Sequence, residues 1–519
     1  MMKMKKRVVF LVLAAALAVT ATGCGKKEEA VQSDLKKGVV EYPIQTEEKL
    51  TYWCSLPSQV SSVVSNFGET PFAQSLREAT GIEVEYVHPA QGQENALDLL
   101  IASGDMPDMV FSQWFMKNPQ SCIDKGIIYN LDEFVDDYAP NLKKYLDENP
   151  DVKKDVVTDA KNVYVFPFAR GEKSLCAVSG FMMRADWLKD AGLSVPKTID
   201  DWDKVLAAFK EKCNVPFATN RYDMLAGGFG AFPAEYLKDG KIKYGPMEPE
   251  YRDMLAKLSE WYQKGYIDKS FAIADAKLVD SNMLNGESGI TFGTGGSKMG
   301  TYLASGKGTG YDLVAVPYPA ERADEKSKYS GIEWQYTTLG AAITKNCKNP
   351  ALAARYLDYG YTEEGHMLYN FGKEGESYTM VDGYPKYADK LLDTTDGTPV
   401  AQKLTMNCLG AESGPFIQDR RYIEQYYGTD RQRDAIVQWA DNDYYDYKIP
   451  HLLMTTEENA ECSEIMTEIE TYVNEYFNKT IIGKSSIDEF DSFVEKLKSM
   501  GIERALEIRQ AAYDRRAQK

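Results

Sequence analysis

LTYWCSLPSQVSSVVSNFGETPFAQSLREATGIEVEYVHPAQGQENALDLLIASGDMPDMVF spans residues 50–111 and alternates short apolar runs with helical periods. Leu50-Thr51-Tyr52-Trp53 reads as a strand, and Phe72 to Ala79 as a short helix stopped by Gly81. Ile82 to Val87 is a second strand. Leu97 to Ala102 is helical until Ser103-Gly104, and Met109-Val110-Phe111 returns as a strand. Strand–helix alternation of this kind predicts an α/β domain, in which helices cover a sheet.

The helical signals continue downstream. Thr198-Ile-Asp-Asp201 is close to a capping box, with Trp202, Val205, Leu206 and Phe209 on one face. Over 251–264, Tyr251, Met254, Leu255, Leu258, Trp261 and Tyr262 form one apolar stripe, and Gly265 stops it. Ile465, Ile469, Tyr472, Val473, Tyr476 and Phe477 repeat that spacing. Ser486-Ile-Asp-Glu489 reads as a capping box opening a last helical segment, so the C-terminal ~70 residues are predicted helical. At 519 residues the chain exceeds what one core usually serves, which favours two lobes.

Sixty Lys and Arg against 78 Asp and Glu leave a net charge of −18. That balance repels phosphate backbones and anionic lipid, which argues against a nucleic-acid partner. Lys3, Lys5, Lys6 and Arg7 precede the apolar run Val8–Val19, which is too short to span a bilayer and suits a secretory signal over residues 1–23. Ala21-Thr22-Gly23-Cys24 resembles a bacterial lipobox, with Cys24 the acylated residue. Polar residues 24–48 read as a flexible tether. The expected location is the outer face of the bacterial cell membrane, with the lipid on Cys24 the only membrane contact.

The other seven cysteines are widely spaced and never CxxC, so neither a disulfide framework nor a zinc site is indicated. His88, His366 and His451 lie far apart in sequence, without metal-ligand spacing. Gly483-Lys484-Ser485 lacks the earlier glycine of a phosphate loop, and Gly293-Thr-Gly-Gly296 does not complete GxGxxG. Asp441–Asp446 fails an EF-hand loop. No catalytic residue, metal or cofactor is therefore assigned.

Four stretches resemble one family, extracellular solute-binding proteins family 1, in its Gram-positive lipoprotein subgroup. They are ASGDMPDMV (102–110), FMMRADWLKDAGLSVPKT (181–198), FGKEGESY (371–378) and GIERALEIRQAAYDR (501–515). The resemblance implies a two-lobed, periplasmic-binding-protein-like (type II) Venus-flytrap with a helical C-terminal segment. It implies no enzyme activity but the receptor of an ABC sugar importer, with a small-molecule ligand, an oligosaccharide foremost, and membrane permease subunits as partners to a monomeric receptor. The family's topology places the first lobe at 49–166 plus 340–392 and the second at 167–339 plus 393–519. Some members that bind acidic oligosaccharides carry a calcium loop after the helix equivalent to that of Trp202. Here Lys210-Glu-Lys-Cys-Asn-Val-Pro216 follows directly, so no calcium is expected there.

Sugars present apolar ring faces and many hydroxyls, which suits aromatic platforms with polar neighbours. Trp114 with Gln113, after the third strand, and Trp334 with Gln335, in the second crossover, are the expected platforms. Phe168 and Arg170 lie in the first crossover region, and Ser55 to Gln59 follow the first strand. Gly295, Gly296 and Ser297 offer backbone N–H groups; Asp223 and Tyr378 complete the set. Rival readings are a peptide-binding or sensing role on the same scaffold, and a secreted carbohydrate-active enzyme.

Overall fold

The computed structural model describes residues 35–519 except Ala274; the signal segment, Cys24 and residues 25–34 lie outside the described residues. The strands in chain order are β1 Lys49–Trp53, β2 Glu83–Val87, β3 Met109–Ser112, β4 Phe166–Arg170, β5 Ser179–Arg184, β6 Glu235–Lys238, β7 Lys241–Tyr244, β8 Ile290–Thr294, β9 Leu313–Val316, β10 Tyr336–Ile343, β11 Tyr378–Val381, β12 Tyr384–Tyr387 and β13 Ile417–Gln418. The first sheet has the order β13-β4-β10-β3-β1-β2. β1 lies parallel to β2 and β3, with Tyr52 opposite Tyr86 and Met109, while β10 runs antiparallel to both β3 and β4.

The helix between β1 and β2, Pro71–Thr80, shows why the opening stretch folds as read. The Thr70 hydroxyl accepts from the Ala73 N–H, Pro71 sits in the first turn, and Gly81 closes the helix at φ 75°. A Cβ at Gly81 would stand 2.2 Å from the Ile44 carbonyl, so glycine is required twice over. The predicted box at Thr198–Asp201 is present and opens the helix Ile199–Lys210. A second box, Thr455–Glu458, opens the 26-residue helix Thr456–Ile481. Ser486 caps a short 3-10 turn rather than a box, and the helix proper runs Phe490–Ser499.

The second sheet is antiparallel, ordered β8-β5-β9. Phe181, Trp202, Phe217, Leu258 and Trp261 fill its core, joined by Ile469, Val473, Leu497 and Ile508 of the C-terminal helices. The first lobe has its own core around Trp53, Val110, Trp114, Phe166 and Leu357. Two cores, each closed by its own sheet, are what a two-lobed chain of this length requires.

Among the described residues three segments run between the two cores, at 171–178, 317–335 and 419–429. The last differs from the expected boundary at 392/393. Ile417 and Gln418 pair in parallel with Ala169 and Arg170, and Phe416 is buried in the first core. A two-residue strand carries no periodicity by which to place it. Beyond it, the helix Asp430–Ala440 sends Ala435 and Trp439 into the second core.

Residues 35–48, within the stretch read as a tether, lie against the first lobe. Leu35, Tyr42 and Ile44 pack on its core, and the buried Arg355 guanidinium donates to the Lys36 carbonyl at 2.6 Å. The Tyr42 hydroxyl donates to the Arg355 carbonyl at 2.8 Å, and its ring meets Tyr359 edge-on. The seven described cysteines are unpaired thiols. Burial pushes the Cys54 thiol up to about 12, which disfavours its thiolate.

Candidate functional site

β1, β3 and β4 point the same way, so their carboxyl ends share one edge of the first sheet. β13 ends there at Gln418, and β10 begins there at Tyr336. All three crossovers leave from that edge, which puts it opposite the second lobe. In the second sheet Ser179, where the first crossover arrives, is paired with Thr294 at the end of β8. Thr294 and the turn Gly295–Met299 therefore sit on the edge that looks back at the first lobe. Ligands of open α/β sheets sit outside such carboxyl ends.

The first two crossovers are locked together. The Arg170 N–H donates to the Gln335 carbonyl at 2.9 Å, and the Gln335 amide returns a bond to the Arg170 carbonyl at 3.3 Å. The Arg170 guanidinium reaches Glu333 at 2.7 Å and Gln418 at 3.5 Å, while its Nε is buried without a partner. Trp334 stacks on Tyr445, with ring centres 4.8 Å apart and planes 14° apart, and its indole N–H donates to the Ile449 carbonyl. The Tyr445 hydroxyl donates to the Glu333 carbonyl at 2.6 Å. Lys448 donates to the Ile332 carbonyl, and burial pulls its ammonium down to about 8.

Three cavities adjoin this edge. One of 330 Å³ lies on the first lobe, with Ser55 and Gln113 on its rim, aromatic walls from Tyr52, Tyr86 and Phe111, and Glu412 and Ser413. Burial raises the Glu412 carboxyl. Cavities of 720 and 550 Å³ are lined by both lobes and share Lys448 and Pro450. The larger sets Phe115 and Lys125 opposite His451 and Met454; the smaller sets Lys154 and Asp155 opposite Trp334, Tyr445 and Arg516.

The structure thus brings Ser55 and Gln113 to one cavity, Trp334 and Gln335 to another, and Arg170 to the floor between the lobes. Gly295, Gly296 and Ser297 form a turn on the second-lobe edge, where the Gln432 amide bonds the carbonyls of Gly295 and Gly296. Asp223 is occupied by Arg221 at 3.1 Å, whose guanidinium lies over the Phe292 ring of β8. Gln59 is half-buried on the turn after β1 and lines none of the three cavities.

Three expectations are corrected. Trp114 is fully buried, because the turn after β3 folds the indole back under the sheet and its N–H donates to the Val110 carbonyl at 2.9 Å. Phe168 is buried against Phe416, and Tyr378 is buried against Phe371 in the β11–β12 hairpin region. Trp114 and Phe168 have no face to offer a sugar, and Tyr378 lines a separate 650 Å³ cavity beside Glu363 and Lys373. Tyr445, Lys448, Lys173, Glu333 and Glu412 were missed. Tyr445 lies in the run Asp441–Asp446, weighed above only as a calcium loop, and its partner Trp334 is more than a hundred residues away in sequence.

The histidines are all hydrogen-bonded: His88 with the Cys54 carbonyl and the Phe67 N–H, His366 with Asp419, and His451 with the Tyr336 carbonyl. Among the described residues no three His, Cys, Asp or Glu side chains converge as a metal site would need. No described helix is long and apolar enough to cross a membrane.

Over 97% of its length the chain is 25% identical to the fructooligosaccharide ABC transporter substrate-binding protein FusA of Streptococcus pneumoniae, covering 97% of that protein. The polygalacturonan/rhamnogalacturonan-binding protein YtcQ of Bacillus subtilis is 26% identical over 56% of this chain and 57% of its own. Among solved structures, the alginate-binding protein AlgQ2 without calcium superposes with a TM-score of 0.71 at 25% identity, over 92% of this chain and all of that one. The sequence profile described as bacterial extracellular solute-binding protein matches residues 66–367, more than half of the chain. With two α/β lobes, three crossovers and facing sheet edges, this chain belongs to the bacterial extracellular solute-binding proteins.

Proposed function

We propose that the chain is the lipid-anchored substrate-binding component of an ABC importer, which holds a carbohydrate between its lobes and passes it to membrane permeases without altering it. The observation that carries this reading is the shared edge, which carries Ser55, Gln113, Arg170 and Gln335, together with two cavities lined by both lobes. Closure of two lobes on a ligand needs contacts from both sides, and cavities lined by both supply them. The names of FusA and YtcQ point the same way, toward oligosaccharides. Cys24 is the anchor in this reading, and the receptor acts as a monomer.

A thermal-shift screen of residues 25–519 against neutral and anionic oligosaccharides, peptides and calcium tests it. A ligand at 100 times its Kd, bound only by the folded state, adds ~2.7 kcal/mol and raises the melting temperature visibly. The expected result is a shift with a sugar that is recovered unchanged. Cleavage of the sugar, or shifts with peptides alone, overturns the reading.

A further inference from the structure

Lysines without acidic partners gather at the interlobe cavities, in a chain whose acids outnumber its bases by 78 to 60. Lys154, Lys173 and Lys448 line the 550 Å³ cavity, and Lys125 lines the 720 Å³ one. Among the described residues none of these four has a carboxylate within 4.0 Å, whereas ion pairs are numerous elsewhere on the surface. Of the two carboxylates lining the smaller cavity, Asp155 is held by Arg516 at 2.6 Å and Asp151 is exposed. Glu333, the carboxylate whose charge acts on Lys448, is engaged by Arg170 at 2.7 Å. The excess of cations at this place is a local reversal of the protein's overall charge, and low-dielectric walls strengthen it.

The lysines also flank an aromatic surface. Lys448 stands 5.7 Å from the centre of the Trp334 ring and Lys173 stands 5.3 Å from that of Tyr445, on either member of the stacked pair. The indole N–H bond to Ile449 and the Tyr445 bond to Glu333 hold the two rings in place. Neighbouring volumes of 550 and 720 Å³, with Lys448 and Pro450 in the walls of both, suit a ligand of several sugar units.

We infer that this trough takes an anionic oligosaccharide, its acidic groups bound by Lys154, Lys173 and Lys448 and a sugar ring packed at the Trp334–Tyr445 pair. The inference rests on the carbohydrate reading above and narrows it. Loss of solvation has already lowered the Lys448 ammonium to about 8, so an incoming anion supplies the partner that the fold withholds. Each charge-assisted contact is stronger than its neutral counterpart, and exposed ones weaken with salt.

The test is calorimetry on residues 25–519 with oligogalacturonates, oligoalginates and sulfated oligosaccharides. The fully methyl-esterified oligogalacturonate serves as a matched uncharged control and kestose as a neutral sugar. The expected result is binding of at least one anionic series, at least tenfold weaker for its uncharged counterpart and weakening as salt rises. Lys173→Gln, at an exposed site whose ammonium also donates to the Asn442 carbonyl at 2.8 Å, then weakens binding severalfold in a protein whose circular dichroism verifies the fold. Lys448→Gln weakens binding likewise, in a protein whose circular dichroism verifies the fold. Equal binding of the esterified sugar, or binding of kestose alone without salt dependence, overturns the inference and leaves the carbohydrate reading intact. Silence from every sugar beside a shift with peptides overturns both.

Discussion

The Arg170 guanidinium and the Glu333 carboxylate meet at 2.7 Å and tie the end of β4, where the first crossover leaves, to the second crossover, 163 residues further along the chain. Both segments must flex if the lobes move, so the pair sits where motion and ligand chemistry coincide. It also neutralises a cation that an anionic ligand would otherwise use.

Glu333→Gln is therefore expected to raise affinity for an anionic oligosaccharide severalfold. The Glu333 side chain is half exposed, so the stability cost stays below ~1 kcal/mol. Isothermal titration beside a thermal melt checks both. Weaker binding instead would mean that Glu333 holds Arg170 in its binding pose.

Lys448→Met is expected to stabilise the protein at pH 7 while weakening ligand binding. The folded-state value of about 8 lies below the ~10.4 of an unfolded lysine. The native state thus favours the neutral amine, and wild-type stability rises with pH between those two values. The variant's advantage, about 1–3 kcal/mol at pH 7 after allowance for partial exposure, should fade above pH 10. Urea unfolding at pH 7, 9 and 10.5 measures it.

Asp358 gives the opposite slope at acid pH. It ends the helix Pro350–Asp358, is fully buried, and accepts bonds from the Leu142 N–H at 2.8 Å and the Asn141 amide at 2.7 Å. Burial outweighs those bonds and lifts its carboxyl to about 6, against ~3.9 unfolded. Its contribution is full below pH 4 and is lost as pH rises through 6, on the order of 2–3 kcal/mol. The difference in unfolding free energy between wild type and Asp358→Asn should therefore change between pH 4 and 7, in favour of wild type at the lower pH. A constant difference would sink this reading of Asp358.

Two tryptophans now separate by role. Trp114→Ala empties a fully buried site and should cost about 3–5 kcal/mol, with ligand affinity of the folded fraction unchanged. Trp334→Ala, half-buried at the lobe junction, should cost less stability and more than tenfold in affinity. Chemical denaturation paired with titration distinguishes them, and equal affinity losses would refute the assignment.

Much of the scaffold was readable because local signals agreed with it. Thr198, Thr455 and Gly81 mark helix ends by chemistry that acts within four residues, and the stripes at 251–264 and 465–477 bury the faces their spacing predicts. The site was readable only in part. Ser55 and Gln113, read from loops that follow strands, do line a cavity at the sheet edge, whereas the turn that holds Trp114 folds back under the sheet. The pairing of Trp334 with Tyr445, and the gathering of Lys154, Lys173 and Lys448, depend on contacts between distant segments. No window of sequence contains them. β13 escaped for the complementary reason, being too short to show a period.

The strap at 35–48 has a mechanical consequence. Through Leu35, the Lys36 carbonyl on Arg355, and Tyr42 against Tyr359, any pull on the chain ahead of it is delivered to the first lobe alone. The first lobe then serves as the mounted jaw of a vice, and the second, held by three crossovers, is the jaw that travels. In the lipid-anchored receptor proposed above, that load path fixes the height of one face and leaves the other to swing, so docking geometry is decided before any ligand arrives.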